Sequence, residues 1–346
     1  MAIGSGLAGQ LGIKTEVTPG TPVAVDQFTR FDPGETLQRR PNFAQHVGLA
    51  AGALVPPSSG RYEVSHDAGG DVTFDVPMRG MGRWVQPMFG STATPVQILS
   101  TTAYRQIHNL GSSDGKTFTL QKGVPRRDGT VEPFTFAGCK ITQWALTAAA
   151  NGLVKIKMTV DAVDVSTSAA GGVSTLQAAS YSLAPSLFTF LNMTVSLATA
   201  YTTVSGLWTP TSPTAIGIIR GLTLNGGQPK DVAAWQAGSA TKAEQLVNDY
   251  QTPTGSVDVD FASRSLFDQF AGNTSTVLQI NLTGPDAGGG NPYLLQFTLP
   301  AAFLESGSTP QIASNGVVTV SYPFAGLADA SGNALQAQIV STDTSI

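Results

Sequence analysis

The sequence predicts a mainly β protein built from two copies of one β-sandwich or barrel domain, with short flanking helices and long loops or arms. Three observations carry that expectation. Turn residues cut the chain into short segments, many of those segments alternate apolar with polar residues, and one strand-plus-helix pattern occurs twice. The 38 Gly and 21 Pro supply the punctuation, because glycine takes positive φ freely and proline lacks the N–H that a regular ladder needs.

Alternation with a period of two marks half-buried strands. It is clearest at residues 72–76, 116–121, 140–146, 154–160, 257–261, 276–282, 294–299 and 317–322. In the fourth of these, Val154, Ile156, Met158 and Val160 share one face while Lys155 and Lys157 share the other. One face therefore meets a core and the other meets water or a neighbour. Helical spacing is rarer. Met81, Trp84, Val85 and Met88 fall at i, i+3, i+4 and i+7, weakened by Gly82 and Pro87, and Leu266, Phe267 and Phe270 form a second short candidate.

Each helix candidate directly follows a strand, and the two strand–helix units align without a gap. Val72, Phe74, Asp75, Val76, Arg79, Met81 and Val85 fall opposite Val257, Val259, Asp260, Phe261, Arg264, Leu266 and Phe270, an offset of 257 minus 72, or 185 residues. A second block, Asn151-Gly152 leading into an alternating strand, recurs at Asn315-Gly316 with an offset of 317 minus 153, or 164 residues. The order of features is the same in both halves, which reads as duplication: a first β-domain over residues 1–165 and a second over 186–346. Residues 166–185 are small and polar, the composition of a linker. Residues 34–59, with Arg39, Arg40, Pro41, Pro56 and Pro57, carry no core pattern and read as a long extended arm or loop that reaches a neighbouring subunit.

Composition narrows the function. Charged residues make up 12% of the chain, against about 25% in an average soluble protein, so a surface covered by something is expected, further copies of the chain being one candidate. The net charge of -4 disfavours a protein that grips nucleic acid. No run approaches the ~18 apolar residues of a membrane helix, and the N-terminus lacks the pattern of a signal peptide, so assembly in the cytoplasm without membrane contact is expected. The single cysteine, Cys139, excludes an intrachain disulfide and reads as a buried strand thiol.

Chemical motifs are weak throughout. Gly4-Ser5-Gly6-Leu7-Ala8-Gly9 fits G-x-G-x-x-G but has neither the preceding strand nor the following helix that the dinucleotide fingerprint requires. Ser113 to Lys116 and Ser239 to Lys242 fit S-x-x-K without the companion motifs of serine acyl-enzymes. His46, His66 and His108 are scattered and read as polar loop residues. Asp71 with Asp75, and Asp258 with Asp260, sit two or four apart on strands, so each pair lies on one face as an acidic stripe. A glycosidase would need two carboxylates across a cleft rimmed with aromatics, and Trp84, Trp144, Trp208 and Trp235 are dispersed. No catalytic residue, cofactor site or metal site is expected.

The opening GSGLAGQLGIKTEVTPGTPVAVDQFTRF resembles the start of siphophage tail tube proteins, with Gly9, Gln10, Gly12, Lys14, Glu16, Gly20, Thr21, Pro22 and Val23 carrying the match. The blocks VEPFTFAGCKITQWAL, NGLVKIKMTVDA and GNALQAQIVSTDT also look like that family, in the same order. The resemblance implies the major tail tube subunit of a long, non-contractile phage tail: a structural virion protein, not an enzyme, that self-assembles into stacked rings forming the conduit for DNA ejection. Its implied partners are itself, the tape measure protein, the tail tip and terminator proteins, and double-stranded DNA passing without specific contact. Single-domain members of that family form hexameric rings. A duplicated chain makes a trimeric, pseudo-hexameric ring the favoured expectation and a hexameric ring the alternative.

On this view Asp71, Thr73, Asp75, Asp258 and Asp260 face the lumen. Gly9, Gln10, Gly12, Lys14, Arg39 and Arg40 contact the next ring. The rival expectation is a carbohydrate-binding or adhesin β-domain with an exposed aromatic platform; a hydrolase, needing a pocket of converging groups, ranks third.

Overall fold

The computed structural model describes residues 4–48, 52–167, 175–181, 186–305, 309–312 and 315–346. Strands account for 49% of the chain and helix for 7%, so the protein is mainly β. The first half contains β1 (Gln10–Thr15), β2 (Gln27–Phe28), β3 (Gln38–Gln45), β4 (Arg61–Asp75), α1 (Gly82–Phe89), β5 (Val96–Gln97), β6 (Tyr104–Asn109), β7 (Phe118–Pro125), β8 (Val131–Ala149), β9 (Lys155–Ala162) and β10 (Asp164–Ser166). The second half contains β11 (Met193–Ala198), β12 (Tyr201–Val204), β13 (Leu207–Pro210), β14 (Thr214–Ala215), β15 (Ile219–Gly227), β16 (Thr254–Asp260), α2 (Ser265–Ala271), β17 (Thr276–Gly288), β18 (Asn291–Leu304), β19 (Thr319–Leu327) and β20 (Gln336–Ser341).

The pairing pattern of the first half recurs in the second. β1 pairs with β7, β7 with β8, β8 with β9 and β10, and β9 with β4. Correspondingly, β11 pairs with β17, β17 with β18, β18 with β19 and β20, and β19 with β16. The register agrees residue by residue with the sequence offsets: Val72 faces Met158 in β9, and Val257 faces Tyr322 in β19. β8 is long enough to serve two layers, its first part lying beside β7 and its last part beside β9. The change of partner falls next to Gly138, whose φ of +63° glycine adopts at no steric cost.

The halves are not separate bodies. The last part of β8 pairs with β15 from Gln143↔Gly227 to Ala149↔Gly221, so one antiparallel sheet runs β3-β4-β9-β8-β15-β16-β19-β18 across both halves. The backbones approach closely at this join, and a Cβ on Gly226 would lie 2.3 Å from Trp144 Cζ2. Beneath it a single buried apolar cluster spans the chain, with Phe89 of α1, Trp144 of β8 and Phe297 of β18 stacked at 6.1–6.3 Å. At 25 cal/mol per Å² or thereabouts, such burial is the main term holding the halves together.

Two expectations need correction in detail. Residues 34–59 are not a loop throughout, because β3 forms an antiparallel hairpin with the start of β4; all eight β3 residues are exposed, so no hydrophobic alternation marks the strand. The stretch 166–185 is not a free linker where it is described: Gln177 receives a hydrogen bond from Gln10 Nε2 (2.7 Å) at its carbonyl and donates its N–H to Gln121 Oε1 (2.9 Å). Residues 168–174 and 182–185 of that stretch lie outside the described residues.

Candidate functional site

The continuous sheet has two unlike faces. One packs on the core through residues such as Val72, Phe74, Ile156, Met158, Val257 and Val259. The other follows from the period of two: each buried residue is flanked by a side chain pointing away. It presents Asp71, Thr73 and Asp75 on β4, Lys155, Lys157 and Thr159 on β9, Gln143 and Thr147 on β8, Thr223 and Asn225 on β15, Ser256, Asp258 and Asp260 on β16, and Thr319 and Ser321 on β19. Large apolar side chains join this face toward the β19–β18 edge, where Leu327 and Phe303 lie on it. The set is a polar, small-residue wall that crosses both halves.

Its charges are largely compensated across the strands. Lys157 Nζ lies 2.7 Å from Asp71, whose second oxygen accepts from Thr159 Oγ1 at 2.7 Å. Burial pushes the Asp71 pKa up, but the hydrogen bonds from Lys157 and Thr159 outweigh it and hold the carboxyl below its ordinary value. Lys155 Nζ bridges Asp32 at 2.6 Å and Asp75 at 3.2 Å. Arg220 makes a bidentate pair with Asp260 at 2.8 and 2.9 Å, which lowers the pKa of that carboxyl. Asp71, Thr73, Asp75, Asp258 and Asp260, the residues expected to face the lumen, lie on this one half-exposed face, where Asp71, Asp75 and Asp260 are salt-bridged.

The arm residues are also engaged. Arg39 pairs with Glu63 across the β3–β4 hairpin, and Arg40 with Asp67 at 2.9 Å and Asp161 at 3.2 Å. Beside them a strap, residues 228–253, folds back from the second half onto the first. Lys242 Nζ contacts Asp161 at 2.6 Å, and Lys140 Nζ contacts Glu244 at 2.6 Å and Gln245 O at 2.7 Å. Lys140 and Lys242 are almost wholly buried. Nearby Lys230 Nζ donates to Gln228, and burial, helped by the charge of Lys140, pushes its pKa down to about 7. Sequence reasoning missed this strap because its charges find their partners only when two distant segments meet.

The N-terminal residues act inside the chain. Gln10 is buried and bonded to residue 177; Gly12 leaves space that Val25 fills, since a Cβ there would lie 2.6 Å from Val25 Cγ2; Gly9 closes a short turn with Gly6; and Lys14 pairs with Asp26 at 2.9 Å. Glu16 accepts four hydrogen bonds, from Gly20 N, Thr117 Oγ1, Thr119 Oγ1 and Gly138 N. That is the physical content of the Lys-x-Glu-x-x-x-Gly spacing: a buried carboxylate fastening the segment to β7 and β8.

Among the described residues, the His, Cys, S-x-x-K and G-x-G-x-x-G candidates of the sequence do not converge on one site. His66 and His108 lie on strands instead of loops, His66 between Glu63 and Asp164, and His108 buried between Ser91 and Gln106 with its pKa lowered by burial to about 4. His46 follows the last residue of β3. Cys139 is buried, and desolvation raises its thiol pKa well above the usual value. Lys116 and Lys242 of the S-x-x-K matches donate to Gly90 O and to Asp161, and Gly6–Ala8 forms a single turn. Trp84, Trp144 and Trp208 are buried. Among the described residues no group of three or more His, Cys, Asp or Glu side chains could hold a metal, and no helix is long and apolar enough to cross a membrane.

A family model described as phage tail tube protein matches residues 6–326. No curated protein matches the chain.

Proposed function

We propose that this chain, which belongs to the phage tail tube protein family, is the major tube subunit of a long non-contractile tail, assembling with copies of itself into stacked rings through which DNA is ejected. Its family makes it a structural component of the virion tail with a non-enzymatic role. The observation that carries the finer proposal is the edge-to-edge join of β8 and β15. Two halves with the same strand pairing already meet inside one chain. If residues 1–165 and 186–346 are copies of one domain, the same join made between chains extends the sheet around a closed ring and leaves no exposed edge. Three chains then supply six domains, so a trimeric ring with pseudo-sixfold symmetry is favoured over a ring of six chains.

In that ring the polar face lines the lumen. Its compensated charge and small hydroxyl side chains offer phosphate no net positive stripe, and DNA or the tape measure protein passes without condensing on it. The exposed residues 5–8 ahead of β1 and the β3–β4 hairpin with Arg39 and Arg40 reach the next ring, terminator and tip proteins cap the two ends, and assembly takes place in the host cytoplasm. Negative-stain microscopy of the concentrated pure protein tests this. Rings or tubes are expected; dispersed globules at every concentration and salt would refute it.

A further inference from the structure

The second half contains a cavity that the first half has filled. About 460 Å³ opens between α2, the end of β16, β11 and β14. At the matching place in the first half stands Trp84, its ring 5.1 Å from Phe74 and its Nε1 donating to Thr29 Oγ1 at 2.9 Å. In the gapless alignment Gln269 replaces Trp84 and Val259 replaces Phe74. Thr29, whose N–H bonds β1, is matched by Ile216, whose N–H bonds β11. The packing differs accordingly: six residues of α1 are buried and none of α2. Two polar atoms at the cavity are buried without a hydrogen-bond partner among the described residues, Tyr322 Oη, on a residue 2% exposed, and Gln269 Oε1. A buried donor and a buried acceptor left unmade are costly, so the site is built for something that supplies both.

What covers it follows from the topology. β4 and β16 run in the same direction, separated by four antiparallel steps through β9, β8 and β15. Both helices follow the finishing ends of these strands, whereas the β3–β4 hairpin stands at the starting end of β4. The hairpin arm carries Phe43, Val47, Leu54, Val55, Tyr62 and Val64 exposed, with Leu54 at 99% and Val55 at 76%. An unfilled apolar cavity and an uncovered apolar arm thus lie at opposite ends of one sheet, the arrangement of a head-to-tail contact between stacked copies.

We infer that the arm segment Leu54-Val55-Pro56-Pro57 of a copy in the adjacent ring inserts into the cavity under α2. The two prolines restrict the backbone of the segment, Pro57 standing extended at φ -71° and ψ 141°, which lowers the ordering cost. Its backbone offers a carbonyl to Tyr322 O–H and the Val55 N–H to Gln269 Oε1. This rests on the stacked-ring proposal above, and the test separates the two.

Val55→Cys combined with Ser265→Cys, in a chain whose native Cys139 is buried, is expected to give a ladder of disulfide-linked chains on a non-reducing gel after oxidation of tubes. Leu54→Ser with Val55→Ser, at exposed positions, is expected to keep the thermal melt and ring formation of the parent while reducing tube formation ~10-fold or more at equal concentration, as loss of a central apolar anchor does. Tubes that form normally from the Ser variant, or that yield no ladder from the Cys pair, overturn this contact and leave the ring proposal standing. A parent chain that stays monomeric sinks both.

Discussion

Trp84→Ala is expected to cost the subunit far more than the matching Gln269→Ala. Trp84 is wholly buried, packs on Phe74 at 5.1 Å and donates to Thr29 at 2.9 Å. Truncating a buried Trp removes its transfer free energy and leaves a cavity, together about 3–5 kcal/mol. The aromatic pair, about 0.5–1.5 kcal/mol, and the hydrogen bond, about 1 kcal/mol, are contained in that figure. At roughly 2–4 °C per kcal/mol for a chain of this size class, the melting temperature falls on the order of 10 °C. Gln269 fills no core volume and buries an unpartnered oxygen, so its removal changes stability by about 0.5 kcal/mol or less in either direction. Urea unfolding of the two variants beside the parent, with m compared to ensure a common unfolded state, reads both values. A Trp84→Ala cost below about 1 kcal/mol, or equal costs at the two positions, would refute the matching of the halves in packing terms.

Further outcomes follow from the buried charges and the join. Lys230 has its pKa lowered to about 7 from 10.5, so between those values the unfolded chain binds a proton that the folded chain does not, and stability rises with pH across that window. Lys230→Met is expected to flatten the rise in urea midpoint between pH 7 and pH 10 that the parent shows. His108, lowered from 6.5 to about 4, acts with the same sign lower down: stability is lost as pH falls from 6.5 towards 4, and His108→Gln is expected to reduce that loss. Gly226→Val places side-chain atoms where Trp144 lies, since even a Cβ would approach it to 2.3 Å; a destabilisation of about 1–3 kcal/mol is expected, read by thermal melting. Asp75→Lys with Asp260→Lys sets new cations beside Lys155 and Arg220; phage carrying this variant are expected to deliver DNA more slowly, and unchanged delivery would count against the wall made by these strands lining the lumen.

The strands legible in the sequence are those with one face on the core. β4, β9, β16 and β19 alternate because Val72, Phe74, Ile156, Met158, Val257, Val259, Val320 and Tyr322 point one way, and both helix candidates became helices at the expected places. The Asp spacing placed Asp71 and Asp75 on one face by strand geometry alone. Other elements carried no such signal, for identifiable reasons. β6 and β20 pair with each other while burying Gln106, His108, Gln336, Gln338 and Ser341, and a strand with polar groups inside looks like loop to any hydrophobic pattern. β3 is exposed on both faces. The strap is held by Lys140, Lys242 and Asp161, charges that satisfy one another only once two distant segments meet. The partners of Asp71 and Asp75 became visible only when the β4–β9 register set Lys157 and Lys155 beside them.

Native mass spectrometry of a single ring released from assembled tubes asks most directly whether the β8–β15 join inside the chain is repeated between chains. A ring three times the 35.8 kDa chain mass is expected. A ring of six chains, or a chain that never leaves the monomer, would contradict it.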